Sequence, residues 1–265
     1  MKLRLRIASA LVALAMLAGG AMAWAATAPG PASGLTGTLH DFSTSVAGVA
    51  NAQSVGLCTF CHTTHRAAST SLLWNHSLST NTFKWDVTST TAGTTYPTFV
   101  GNTYTGPTAK CLSCHDGSVA VGDIAWFNGA SAPGGTATNP TKIPAGAFLT
   151  ADPSNVAGSM SGNHPVAMPY PYQQAKNTYN GVTTGANYIS TEWATDPTTG
   201  TFIRLFNDDG SLSHNITAGA VATKTGIECS SCHDPHNKQT VDTYFLRAKL
   251  TGSDSTYICL ACHTK

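Results

Sequence analysis

All eight cysteines of this chain fall into four pairs of one spacing, and each pair is followed at once by histidine. They are Cys58-Thr59-Phe60-Cys61-His62, Cys111-Leu112-Ser113-Cys114-His115, Cys229-Ser230-Ser231-Cys232-His233 and Cys259-Leu260-Ala261-Cys262-His263. On one helical turn, cysteines at i and i+3 share a face and a histidine at i+4 projects beside the second. One turn can therefore bond the rim of a flat macrocycle through two sulfurs while an imidazole nitrogen binds the metal at its centre. C-x-x-C-H is the attachment signature of c-type haem. Four copies predict four covalently attached haem c groups on Cys58, Cys61, Cys111, Cys114, Cys229, Cys232, Cys259 and Cys262, with His62, His115, His233 and His263 as proximal iron ligands. A disulfide framework or a pair of zinc ribbons competes for the same cysteines. Neither requires a histidine behind every pair.

The function of such irons depends on the second axial ligand. Of the 10 histidines, six remain: His40, His65, His76, His164, His214 and His236. Outside the N-terminal leader described below, only Met160 and Met168 offer sulfur, so histidine is favoured on both faces of every iron. Such ligation places the potentials below those of Met/His haems. His65 and His236 lie three residues after a proximal histidine, an offset that cannot serve the same iron but suits a neighbouring one. His76 follows the apolar Leu72-Leu73-Trp74, and His164 sits in a loop before Pro165. His214, after the turn-like Phe206-Asn207-Asp208-Asp209-Gly210, is the weakest of the six.

The first 25 residues read as a secretion signal peptide. A basic Met1-Lys2-Leu3-Arg4-Leu5-Arg6 precedes an apolar run and two A-x-A patterns, at Ala21-Met22-Ala23 and Ala23-Trp24-Ala25. No later stretch has the apolar length of a transmembrane segment. Without Lys2, Arg4 and Arg6, the remaining 11 basic residues face 13 acidic ones. That balance gives no basic field for nucleic acid. The expected location is secreted, extracellular or at the cell surface, with the periplasm as the alternative.

Beyond the leader, the chain divides into an N-terminal arm (26–57), a first di-haem module (58–124), a Gly/Thr/Pro-rich loop region carrying distal ligands (125–225) and a second di-haem module (226–265). Both modules begin C-x-x-C-H-x-x-H, and an apolar pair follows in each, Leu72-Leu73 in the first and Phe245-Leu246 in the second. Turn signals at Pro133-Gly134-Gly135 and Asn139-Pro140 mark the region between. The expected fold is a multihaem cytochrome: mostly loop or coil, short haem-attachment helices, minor strand content including a hairpin over 201–212, and haems forming the core. Trp74, Trp85, Trp126, Phe127, Trp193, Tyr244 and Phe245 are expected against porphyrin.

The doubled modules, with Leu73-Trp74-Asn75-His76, Cys-His-Asp-Gly-Ser-Val at 114–119, Gly-Asn-His-Pro-Val at 162–166 and Cys-Ser-Ser-Cys-His-Asp-Pro-His-Asn at 229–237, resemble multihaem c-type cytochromes of metal-reducing bacteria. Among these the chain is most similar to tetrahaem extracellular subunits that polymerise into nanowires. The resemblance implies bis-histidine haems in a continuous stack, other c-type cytochromes as electron donors, an extracellular metal or electrode as acceptor, and identical subunits joined head to tail. His40 lies in the N-terminal arm and the last haem motif ends near Lys265, so His40 is expected to ligate a neighbour's haem across an open-ended contact. Three functions follow: an electron carrier with no catalytic residue, as a filament or a diffusible periplasmic shuttle; a nitrite- or hydroxylamine-type reductase, which needs an open iron; or a small haem-based sensor.

Overall fold

The computed structural model describes residues 29–43, 56–65, 67–68, 71–85, 90, 93–119, 121, 124–125, 149, 158–160, 162–208, 214–217 and 221–264. The leader, the turns at 133–135 and 139–140, Trp126 and Phe127 lie outside these residues. Among the described residues no helix is long and apolar enough to cross a membrane.

The α-helices of the described residues all carry cysteine pairs. Helix α1 (Thr108–His115) starts after Pro107, whose ring presets a helical φ, and ends where Asp116 N–H reaches Leu112 O and Gly117 takes φ 72°. That left-handed position is one glycine adopts without steric cost. Helices α2 (Cys229–Cys232) and α3 (Ile258–Cys262) are single turns. Cys58–His62 is a turn closed by His62 N–H to Cys58 O at 2.9 Å. Segments this short are not stable as isolated helices, so tertiary partners must hold each one.

Those partners repeat. After the first turn, Thr63 N–H donates to Leu73 O and Asn75 N–H to Cys61 O, both at 2.9 Å, bridging His62 to Trp74. After α2, Asp234 N–H donates to Phe245 O at 2.8 Å and Arg247 N–H to Cys232 O at 2.9 Å, bridging His233 to Leu246. The return in each copy is made by two consecutive non-glycine residues at positive φ, Leu72 and Leu73 (60° and 51°) and Tyr244 and Phe245 (56° and 59°). The structural equivalent of Leu72-Leu73 is thus Tyr244-Phe245, one residue before the pair expected from sequence. The fourth motif uses the same ladder with a distant strand: Ala194 N–H donates to Cys262 O at 2.9 Å and Thr264 N–H to Glu192 O at 3.0 Å, bridging His263 to Trp193.

The region expected as loop contributes most of the sheet structure. Strands β1 (Thr82–Phe83) and β2 (Phe99–Val100) pair antiparallel. The sheet order β3-β8-β6-β7 joins Met168–Pro169, Thr225–Ile227, Leu205–Asp208 and His214–Thr217, all antiparallel. β4 (Thr178–Tyr179) and β5 (Val182–Thr183) form a separate ribbon. The expected hairpin does form, but as β6 with β7, so its second strand lies beyond 212. His214 pairs in register with Asp208. Because β8 runs directly into α2, this sheet fixes the second module to the middle of the chain.

Side chains build a core beside α1, where Phe83, Trp85, Phe99, Tyr104, Leu112 and Met160 pack together. Trp85, expected against porphyrin, is in this core and donates through Nε1 to Asn163 O at 3.1 Å. Two smaller clusters pack directly against cysteines of the C-x-x-C-H motifs: Tyr170, Tyr172 and Leu205 with Cys262, and Ile203, Ala248 and Ala261 with Cys232.

Candidate haem-binding site

The four C-x-x-C-H turns present free cysteines, with no disulfide among them. Burial pushes the Cys61 thiol up to about 11 and those of Cys114 and Cys232 to about 12, the neighbouring cysteines adding to the rise. Zinc sites and rapid disulfide exchange both use thiolates, which these surroundings disfavour. No group of three or more His, Cys, Asp or Glu among the described residues is gathered around a point where a bare metal ion could sit.

The histidines are organised in pairs. With metal–nitrogen bonds of about 2 Å on opposite faces, two imidazoles on one iron have ring centroids about 6 Å apart. His62 and His236 lie 6.1 Å apart with their planes 23° from parallel, His40 and His115 lie 6.2 Å apart, and His164 and His263 lie 6.4 Å apart. Each pair couples one proximal histidine with one of the six spare ones. The pairing crosses the chain, since His236 of the second module meets His62 of the first. His40 packs between His115 and Phe245, whose ring centroid is 4.9 Å away. Burial lowers its pKa to about 4, and the charge of His115 adds to that. The ring is therefore neutral at ordinary pH, the form that binds metal.

In four of these rings Nδ1 is engaged by a backbone carbonyl. His62 donates to Leu72 O at 2.6 Å, His233 to Tyr244 O at 2.7 Å, His164 to Pro165 O at 2.8 Å and His40 to Pro235 O at 3.4 Å. Such a bond fixes the Nδ1–H tautomer and turns the Nε2 lone pair outward, the arrangement that metal-bound histidines have. It also gives the left-handed turns a purpose. Holding Leu72 and Tyr244 at positive φ costs about 1–3 kcal/mol per residue, and it aims their carbonyls at the proximal rings.

Two buried indole N–H groups, on Trp74 and Trp193, have no hydrogen-bond partner. Both rings adjoin proximal histidines, 6.1 Å from His62 and 4.7 Å from His263. Leaving such a donor unmet costs about 1–3 kcal/mol, and a haem propionate is an acceptor of the right chemistry. The attachment turns, the imidazole pairs and these donors together fit a haem at the first and fourth motifs. The turns and imidazoles fit one at the second.

At the third motif, the His233 ring donates to Tyr244 O, and burial with the charges of His115 and Arg247 lowers its pKa. His65 is exposed, and His76 is buried with its ring 5.7 Å from that of Trp74. The side chain of His214 lies outside the described residues.

A charge cluster missed at the sequence level holds His236. Asp234 accepts from the backbone N–H groups of Gln239 (2.7 Å), Lys238 (3.0 Å) and His236 (3.2 Å), and its carboxylate lies 3.5 Å from the Arg247 guanidinium. Arg247 in turn donates to Ser230 O at 3.0 Å and His233 O at 3.3 Å. Burial alone raises the Asp234 carboxyl, but the His236 ring, the Gln239 and Lys238 N–H groups and Arg247 pull it well below the usual carboxylate range. A carboxyl depressed in the folded state stabilises the fold above its unfolded value and loses that contribution as pH falls. Thermal stability is therefore expected to drop as pH passes down through 3.8, the ordinary aspartate value. Asp234→Asn is expected to cost about 3 kcal/mol at pH 7 by stranding a buried arginine and to flatten that acid limb. Melting curves of both proteins between pH 3 and pH 7 check it; parallel curves contradict it.

No family model matches the chain, and no curated protein matches it in sequence.

Proposed function

We propose that this chain is an exported electron-transfer protein, not an enzyme, carrying four covalent c-type haems with histidine on both faces of the irons. The observation that carries the reading is the set of three imidazole pairs at 6.1, 6.2 and 6.4 Å, each joining a C-x-x-C-H histidine to a spare one. Haem supplies reversible one-electron exchange at its iron when bound. The chain's own work is to orient imidazoles through carbonyls, to cross-brace the modules through His62 and His236, and to set indole rings beside His62 and His263.

The assembly we propose is a filament of identical subunits joined head to tail, receiving electrons from other c-type cytochromes and delivering them to an extracellular metal or electrode. The three imidazole pairs involve His62, His115 and His263, and we assign the ligand of the His233 iron to an adjoining copy. Exposed His65 is the described histidine best placed to be given. Negative-stain electron microscopy of the secreted protein is expected to show filaments, and His65→Ala to leave soluble tetrahaem particles. Single particles from the unaltered protein would favour the diffusible periplasmic shuttle. The same reading of His233 leaves one alternative, a reductase with an open iron. Optical titration of the reduced protein with carbon monoxide separates the two: no spectral change supports the carrier, and a change at one haem in four supports the reductase.

A further inference from the structure

Between the second and third attachment turns lies a polar cluster that none of the ligand arguments uses. Glu228 is 0% exposed and immediately precedes Cys229. Its Oε1 accepts from the hydroxyls of Tyr104 and of Tyr179 (2.7 Å), and its Oε2 from the backbone N–H of Thr108 at 3.2 Å, the first residue of α1. It is also the N-cap of α2, closing a capping box with Ser231, whose Oγ accepts from Glu228 N–H at 2.9 Å. Thr108 Oγ1 completes the link by accepting from Cys229 N–H at 3.0 Å. One carboxylate therefore caps the N-termini of both attachment helices. Its partners named here all donate to it, which suits the ionised form, an acceptor only. The positive end of α1 favours the same charge.

The sequence makes room for this cluster. The Tyr179 ring lies over Gly226 in β8, where a Cβ would stand 2.3 Å from the ring, so only glycine lets the phenol reach Glu228. On the other side, Lys110, 3% exposed and next to Cys111, sends its ammonium to Thr105 O at 3.1 Å. A buried lysine is rare without a nearby negative charge, and Glu228 supplies one.

We propose that Glu228 and Lys110 are opposed buried charges that set the reduction potentials at the Cys111–His115 and Cys229–His233 motifs, with Glu228 also fixing the spacing between the two turns. The inference rests on the haem reading above. A fixed negative charge stabilises the oxidised iron and lowers its potential; a fixed positive charge raises it. At about 10 Å through protein, one unit charge changes such an equilibrium on the order of tenfold, which is about 59 mV for a one-electron couple.

The test is a spectroelectrochemical titration of the haem-loaded protein, with Glu228→Gln and Lys110→Met beside it and denaturant unfolding of all three. Glu228→Gln is expected to raise two of the four potentials, each by about tenfold in the reduction equilibrium, and to lower the unfolding midpoint. Lys110→Met, which keeps the capping network, is expected to lower the same two with little change in midpoint. Opposite signs are what a purely structural role does not produce. Shifts of one sign in both variants, or none in either, overturn the inference. If Glu228→Gln yields no loaded protein, the direction given by Lys110→Met decides alone. A parent protein that shows no haem redox waves defeats the haem reading instead, so the two failures are distinguishable.

Discussion

Replacing Cys229 and Cys232 together by serine is expected to remove one tetrapyrrole from the purified protein and to make protease cleave it faster. Helix α2 has four residues, too few to persist by its own hydrogen bonds. What holds it is the cap from Glu228, the bond from Cys229 N–H to Thr108 Oγ1 and the packing of Cys232 with Ile203, Ala248 and Ala261. In a fold with this little regular structure, covalent attachment of the proposed haems would do the stapling that disulfides or metals do in small domains. Loss of that staple is also expected to release the loop that carries His236, so a haem at the first motif would lose its brace along with one at the third. Intact mass and limited proteolysis measure the two effects. A variant with unchanged mass and an unchanged digestion pattern contradicts the account. Val241→Ala, at an exposed position, is the control expected to change neither.

The second large effect is spectroscopic. His236 lies three residues after His233, yet its ring faces His62 at 6.1 Å. His236→Met is therefore expected to raise the potential of the haem on Cys58 and Cys61, not of the haem on Cys229 and Cys232. Exchange of histidine for methionine favours the reduced iron, and a rise of about 59 mV or more, tenfold in electron affinity, is expected. Paramagnetic NMR, which separates the haems by their shifted methyl resonances, identifies which one moves. A shift confined to the haem on the third motif contradicts the cross-module pairing.

The C-x-x-C-H motifs were legible because they are local, but the helical placement of their histidines holds only for His115; His233 and His263 are extended C-caps and His62 bridges to Trp74. The set of spare histidines was legible by subtraction. Their pairing was not, because it is made through space. His40 shows the difference most clearly: nothing in its place in the N-terminal arm announced the ring contacts it makes with His115 and Phe245. The doubled module was visible as a repeat, but its register slipped by one residue. The decisive feature is a pair of positive φ values, and Leu72, Leu73, Tyr244 and Phe245 carry no glycine or asparagine to announce them. The middle of the chain read as loop because its strands are two to four residues long. Yet it supplies Trp193 for the last motif and β3 and β6 for the sheet that anchors α2. Glu228 was passed over for a related reason. Its meaning comes from Tyr104, Thr108 and Tyr179, none of which is near it in sequence.

The central claim is that four haems are covalently joined to this polypeptide. Intact-mass spectrometry of the protein purified from a host that matures c-type cytochromes tests it most directly. The account predicts a mass equal to the processed chain plus four tetrapyrroles, with no cysteine left to react with a thiol reagent. The mass of the bare chain, with eight reactive cysteines, would contradict it.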